Sequence, residues 1–550
     1  MKNCSEDFFV ERIDHLGIVA GTIKDLGLIE FIDSRLGRYE GETLSPGETV
    51  AGMIINGLGF SNKPLSLTPL FFRNCPLSLL FREGVSADDF NRFKLGRVLD
   101  RLNGYGTEML FSEIASDVCQ QENADNRFNH LDTSAFSLTG EYLPDTDEQA
   151  VHITYGHSKD HRPDLKQVMV EMMVSQDGGI PLLFKSLDGN SSDNTVFRNR
   201  AEVLLKEFKE SESPRYLIAD CKLYTEKNAV NLKELPYITR IPRNIKKVGE
   251  LIEVAVSNSE DWLKLENDRQ VQVFTLEHYG IEQRWHVVSS ETSRQQAEGK
   301  VAKKVTKEKQ DIKKQIFHLH AQRFHCEEDA VKAGEKLSAQ WKTHKMDGYE
   351  ITECKHYKGK GRPKNGAIPI KIEYLIILSY QSDNDKIEKA EKVRGCYVIG
   401  TNIDQEQLDA PEVIGAYREQ NCAERGFRFL KDPLFFVSSL FVKKPSRISA
   451  LLMVMVLSLL VYGIAERRMR ASLSEKKETI PNQIGQASGT PTLRWVFQLL
   501  SGIHRIKISV GQRIRYVFEG ITKLKRRIIL LFGEIVAGIY QISPNCTRSM

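Results

Sequence analysis

Three acidic residues stand where a carboxylate is costly to keep. Asp132 follows Leu131 within FNHLDTSAFSLTG and is succeeded by the small hydroxyl residues Thr133 and Ser134, while Asp220 ends the apolar run Tyr216–Ala219 in YLIADCKLYT. A buried carboxylate must be paired or metal-bound to be tolerated, which makes both positions informative; taken singly, each also reads as a turn or helix-capping aspartate. Glu424 lies in PEVIGAYREQNCAERGFRFLK, a mixed apolar and charged segment closed by Pro433. At helical spacing, Tyr417, Gln420, Glu424 and Lys431 fall on one side of a predicted single helix. A tyrosine, a carboxylate and an ammonium on one stripe suit phosphate and a metal; an amphipathic helix with a solvated charged face has the same pattern. If the strands bearing Asp132 and Asp220 are neighbours and this helix packs on their sheet, three carboxylates converge at one edge. An all-oxygen ligand set favours Mg²⁺, with Mn²⁺ as a substitute, and two such ions can clamp the attacking and leaving oxygens of a phosphoryl transfer. Such a site would hydrolyse a DNA strand with activated water and use the freed 3′-hydroxyl as the next nucleophile, without a covalent enzyme–DNA bond.

The elements that must position these acids follow from periodicity. Residues 8–125 read as short amphipathic helices broken at glycines, with Ser86 as the cap of one of them; this allows a helix-turn-helix DNA-binding domain and equally a plain helical bundle. From residue 128 the period changes to two. FNHLDTSAFSLTG, VHITYGHS, IPLLFKSLDG, RYLIADCKLY and PYITRIPR read as strands, LKQVMVEMMVSQDGG as a strand with a turn, and 194–209 and NAVNLKEL as helices. The result is a mixed sheet covered by helices. Residues 243–390 differ: an antiparallel pair, QVQVFTLEHYG with QRWHVVSS, then a long charged helix from ETSRQQ to FHLH that continues towards CEEDAVKAGEKLSAQWK, then strands YEITECKHY and KIEYLIILSY around a basic Gly-Pro turn. This region reads as an inserted subdomain, after which GCYVIGTN returns to the core.

At 550 residues, 41% hydrophobic and 27% charged, the chain has a folded composition and is too long for one core. The predicted division is 1–125, helical and a candidate DNA-binding domain; 126–242, first part of the core; 243–390, a β-rich insertion; 391–470, second part of the core; and 471–550, a linker with a basic helical region. The net charge of +4 decides nothing alone. Nine cysteines without CxxC spacing argue against a zinc module or a disulfide scaffold and fit a reducing compartment. The start of the chain has no apolar signal core. Ile448–Ala465 is uncharged and flanked by Lys443, Lys444, Arg447, Arg467, Arg468 and Arg470, so it sits at the short edge of a membrane span. With no companion span of similar quality, a buried core helix and no membrane association are expected. The basic tail after Arg494 suits phosphates or solubilises an apolar docking face.

With LDTSAFSLTGEY, YLIADCKLYT and YREQNCAERGFRFLKDP in view, the chain resembles the DDE transposases of bacterial and archaeal insertion sequences, within the IS4-like superfamily and its IS1634-like branch. The resemblance runs over most of the chain. It implies an α/β, RNase H-like mixed sheet flanked by helices and interrupted by a β-rich insertion, with helical N- and C-terminal regions. It makes Asp132, Asp220 and Glu424 the catalytic, metal-binding acids, and it places Tyr417 and Lys431 on DNA phosphate near the cut. Gln420 departs from the family pattern, where arginine is usual; a glutamine cannot make a charged bidentate phosphate contact, but Gln420 remains a DNA-binding candidate together with the nearby Arg418 and Arg425. Further DNA-facing candidates are His157, Lys159 and Arg162 of YGHSKDHRPD and Lys358, Lys360, Arg362 and Lys364 of KGKGRPK, each with the alternative of a charged surface loop. Asn190 and Asp193 are expected at a strand end near the acids or simply in a turn, and Trp285 or Trp341 on a displaced base or in a core. The implied activity is metal-dependent cut-and-paste transposition through a hairpin. Double-stranded DNA, as terminal inverted repeats and as target, is the implied partner, bound by a dimeric synapse in a prokaryotic cytoplasm. A catalytically silent DNA-binding relative and a nuclease without strand transfer are the alternatives.

Overall fold

The computed structural model describes residues 6–61, 64–142, 150–157, 162–192, 196, 200, 203–204, 214–258, 260–266, 268–359, 365–435, 442–510 and 513–543. The chain divides into two compact units, Met1–Ile238 with Gly415–Met550, and Thr239–Ile414. Its mixed sheet with flanking helices is an RNase H-like fold carrying insertions.

In the first unit the core strands are β1 (Phe128–Leu138), β2 (Lys166–Ser175), β3 (Pro181–Leu187) and β4 (Tyr216–Ala219), in the order β3-β2-β1-β4. The β1–β2 and β2–β3 pairs are antiparallel and β1–β4 is parallel. VHITYGHS, read as a strand, makes only an isolated bridge at Thr154–Gln167; its alternation is that of a loop laid against β2. The helix expected at 194–209 lies largely outside the described residues.

The helical N-terminal part is built around Pro46–Leu58, which is buried along its whole length. Ser45 caps it in a capping box with Glu48, and Pro46 supplies the fixed φ of the first turn. Ser86 caps only the 3₁₀ turn Ala87–Phe90; the longer helix Arg92–Tyr105 starts from Asn91, whose side chain accepts from the Phe93 and Lys94 amides. Against these helices and β3 lies Pro445–Lys476. Every residue from Ile448 to Ala465 except Tyr462 is buried, as an all-apolar helix requires. It passes a length-and-hydropathy test for a membrane span, but its basic flanks pair with carboxylates of the same unit. Arg447 makes two 2.6 Å bonds to Asp100, Arg467 is bidentate to Asp177 at 2.9 and 2.8 Å, and Arg468 binds Glu122 and Asp25. Arginines engaged in this way are core fastenings, as expected of a buried helix.

The tail is not uniformly helical. Between the helices Leu493–Leu499 and Lys523–Leu530, His504–Val510 and Arg513–Glu519 pair antiparallel, and Glu6–Arg12, read as the start of a helix, adds to them as a third strand.

In the second unit, Leu263–Leu265, Arg269–His278, Ile281–Ser290 and Cys396–Thr401 form successive antiparallel pairs. The charged helix runs Glu291–His320 and stops there; the expected continuation is a separate helix, Glu327–Ser338, capped by Cys326, and His344–His356 pairs antiparallel with Lys371–Ser382 over a small core of Ile312, Leu319, Trp341, Ile376 and Leu378. Neither tryptophan is available to a base: Trp285 is fully buried and donates to Gln283, and Trp341 is buried and donates to Gln315. Both are core residues.

Candidate active site

Strand alternation sets the face. Successive side chains of β1 point to opposite sides, so His130, Asp132 and Phe136 share one. On this side lies the helix Asn421–Leu430: Gln420 meets His130, the Phe427 ring sits 6.5 Å from Phe136, and the Lys431 ammonium lies 5.5 Å from the centre of the Phe136 ring. Asp132 is therefore bracketed by contacts to the helix that carries Glu424. The parallel register of β1 and β4 runs Phe128–Tyr216 to Leu131–Ala219. Asp132 and Asp220 each directly follow the last residue paired in this register, Leu131 and Ala219, so the parallel register brings the two acids to one end of this strand pair. Each carboxylate is oriented by a backbone amide: Thr133 N–H donates to Asp132 at 2.7 Å and Lys222 N–H to Asp220 at 2.9 Å. Both aspartates are half-buried.

The segment read as one continuous helix is two. Ala410–Arg418 ends, residues 419 and 420 form a turn, and a new helix begins at Asn421. Amide bonds from Glu419 to Ala416, Gln420 to Tyr417 and Cys422 to Glu419 skip three residues rather than four, which tightens the backbone there. Tyr417, Gln420, Glu424 and Lys431 thus do not lie on one uninterrupted stripe. Gln420 is 8% exposed. Its Nε2 donates to Leu131 O and its Oε1 meets His130 Nδ1, both at 3.1 Å. An amide oriented to give Leu131 a donor makes Nδ1 the protonated nitrogen of a neutral imidazole. Burial pushes the His130 pKa down, against the opposing bonds from Gln420 and Gln176. Where a phosphate contact was expected, this glutamine ties the Glu424 helix to the strand one residue before Asp132. His130, two residues before Asp132 and hence on its face, is the sequence signal of this arrangement.

The helix packs through Cys422, Ala423, Gly426, Phe427 and Leu430, leaving Glu424, Arg425 and Arg428 exposed. Gly426 allows the close approach: a Cβ there would stand 2.8 Å from Met172 Cε and 3.1 Å from Leu459. Glu424 follows Gln420 by about one turn and faces solvent. Among the described residues no three His, Cys, Asp or Glu side chains are near enough together to hold a metal ion. The adjacent aspartates supply an oxygen-only pair of the kind that holds Mg²⁺ through one or two carboxylates plus substrate phosphate, so the donor chemistry fits a hard cation. Glu424 stands outside that pair.

The other candidates are dispersed. Arg418 is exposed; Arg425 is largely exposed, with Cys422 Sγ 3.0 Å and Glu419 3.9 Å away; Tyr417 and Lys431 are half-buried. His157 is exposed, and Arg162 is exposed but paired with Asp164 at 2.9 and 2.7 Å. Lys358 is exposed in the second unit, and Asn190 is exposed in the first. Lys159, Asp193, Lys360, Arg362 and Lys364 lie outside the described residues.

Residues 139–461, more than half of the chain, match the family model described as Transposase DDE domain, and residues 8–116 match a domain of unknown function, DUF4277. No curated protein matches the chain. Among solved structures, a cryo-EM structure of the piggyBac transposase synaptic complex with hairpin DNA is similar at 11% identity and a TM-score of 0.35, over 90% of this chain and 82% of that one. A likeness that distant carries no weight beside the family match. The matched span contains Asp220 and Glu424, and the chain belongs to the DDE transposase domain family.

Proposed function

We propose that this chain is a cut-and-paste transposase of the IS4-like superfamily, in its IS1634-like branch, which cleaves DNA at the terminal inverted repeats of its own element and joins the ends to target DNA. The observation that supports this reading is the parallel register ending at Leu131 and Ala219, one residue before Asp132 and Asp220, with Gln420 of the Glu424 segment bonded to Leu131 O. Asp132 and Asp220 would hold Mg²⁺ or Mn²⁺, and Glu424, which stands outside that pair, would have to approach them to complete the set. A cation so held lowers the pKa of a water and neutralises charge on the phosphate oxygens. The chain itself contributes orientation. The Thr133 and Lys222 amides fix the carboxylates, and Gln420 with His130 fixes the helix on which Glu424 rides. Tyr417, Arg418, Arg425 and Lys431 would line the DNA phosphates beside the acids, with His157, Lys159 and Arg162 and the run Lys358, Lys360, Arg362, Lys364 taking the duplex further away. Water first displaces the 3′-oxygen at the element end; the freed 3′-hydroxyl then attacks the partner strand to close a hairpin and, after reopening, attacks target DNA. Each step exchanges one P–O bond for another. Two ends cut and joined together imply a dimeric synapse in a prokaryotic cytoplasm. The five-part division from the sequence fits this reading, with DNA binding assigned to 1–125.

Cleavage of a labelled duplex bearing the terminal repeat, with Mg²⁺, tests it. Wild type should give end cuts and joined products, and Glu424→Gln should bind equally while cleaving at least about a hundredfold more slowly. Equal cleavage by both would remove Glu424 from the site, and binding without cleavage by either would identify a silent relative.

A further inference from the structure

Glu6–Arg12, His504–Val510 and Arg513–Glu519 form a three-stranded antiparallel sheet in that order, apart from the catalytic sheet. One end is fastened to the helical body: Arg505 is buried and bonded to Glu11 at 2.5 Å and to Ser78 at 3.1 Å, and the Arg12 amide donates to Asn74 O. Towards the other end, large apolar side chains are exposed on both faces. Phe8 (60% exposed) and Val10 (52%) lie with Val517 on one, and Phe9 and Tyr516 with Ile514 (55%) on the other. Among the described residues no strand lies beyond Arg513–Glu519, so alternate N–H and C=O groups of that strand point outward along an open edge. An exposed edge flanked by apolar side chains is a template for another strand.

We infer that this edge pairs with the same edge of a second copy, antiparallel across a two-fold axis, to make a continuous six-stranded sheet. Charge supports the choice of occupant. Centred on Tyr516, the pairing sets Arg513 opposite Glu519 of the second copy, twice over, and Ile514 opposite Phe518. Arg513 and Glu519 are both exposed and neither is in an ion pair within its own chain among the described residues. A DNA backbone suits the sheet less well, because Glu6, Asp7, Glu11 and Glu519 offset most of its basic residues. Joining the first strand of one copy to the third of the next would propagate without closing, whereas self-pairing of the third closes a dimer.

Light scattering on the full chain across a concentration series, without DNA or metal, reads this independently of the proposed reaction. Wild type should be dimeric at micromolar concentration. Arg513→Glu and Glu519→Arg should each weaken association about tenfold, from two cross-strand pairs turned repulsive, and the double exchange should restore it. Because these residues sit at opposite ends of one strand, restoration cannot arise within a chain. Tyr516→Pro, which blocks the edge, should leave a folded monomer by circular dichroism. A monomeric wild type, single exchanges without effect, or a double exchange that fails to restore association would each overturn the inference. So would a monomeric wild type in which Tyr516→Pro lowers duplex binding, which would assign the sheet to DNA.

Discussion

Two helices of nearly equal length, Pro445–Lys476 and Glu291–His320, are made of opposite material and do opposite work. The first is buried on nearly all sides from Ile448 to Ala465 and serves as the spine of the unit that carries Asp132 and Asp220. The second buries only Ala297, Val301, Ile312 and Leu319 along thirty residues and exposes a lysine-rich face. The short helix Asn421–Leu430 falls between them, with one packed side and one exposed side that carries Glu424. Length and helicity therefore say little about how much a helix matters to stability; the number of faces it buries does.

This contrast can be broken by substitution. The largest effect is expected in the spine, where Leu457, fully buried, should lose about 2–5 kcal/mol on change to alanine, read by denaturant unfolding. Gln420→Ala should cost about 1–3 kcal/mol, because His130 Nδ1 and Leu131 O lose their buried partner. It should also lower end cleavage more than DNA binding, and an equal loss of both would make Gln420 a packing residue only. Glu308 is where the charged helix does structural work: it accepts from the Lys342 and Thr343 amides and meets His344. Burial pushes its pKa up, but the hydrogen bonds from Thr343, Lys342 and His344 outweigh it and hold the pKa at about 2. A depressed folded pKa contributes stability above the unfolded value of 4.5 that is lost as pH falls through about 2. Glu308→Gln should therefore remove about 1–2 kcal/mol at neutral pH and flatten the acid limb of the second unit's unfolding profile. Lys307→Ala on the exposed face should change stability by less than about 0.5 kcal/mol. A larger change there would mean that the lysine face is packed against something.

The sequence by itself determined the alternation that makes Phe128–Leu138 a strand, the uniform apolarity that buries Ile448–Ala465, the existence and start of the charged helix and the acids at the ends of apolar runs. All of these are local patterns, set by side-chain periodicity and by the cost of exposing apolar surface or burying charge. Tertiary structure alone decided that Leu131 pairs with Ala219, which brings the following Asp132 and Asp220 to the same end of this strand pair. It also decided that Gln420 turns inward to His130, that the flanking arginines of the spine find carboxylates far along the chain, and that Glu6–Arg12 joins the hairpin of His504–Val510 and Arg513–Glu519. Those outcomes depend on which distant groups satisfy one another's hydrogen bonds and charges. No periodicity records that, because a glutamine or an arginine reads the same in sequence whether its partner is a phosphate, a solvent molecule or a buried carbonyl.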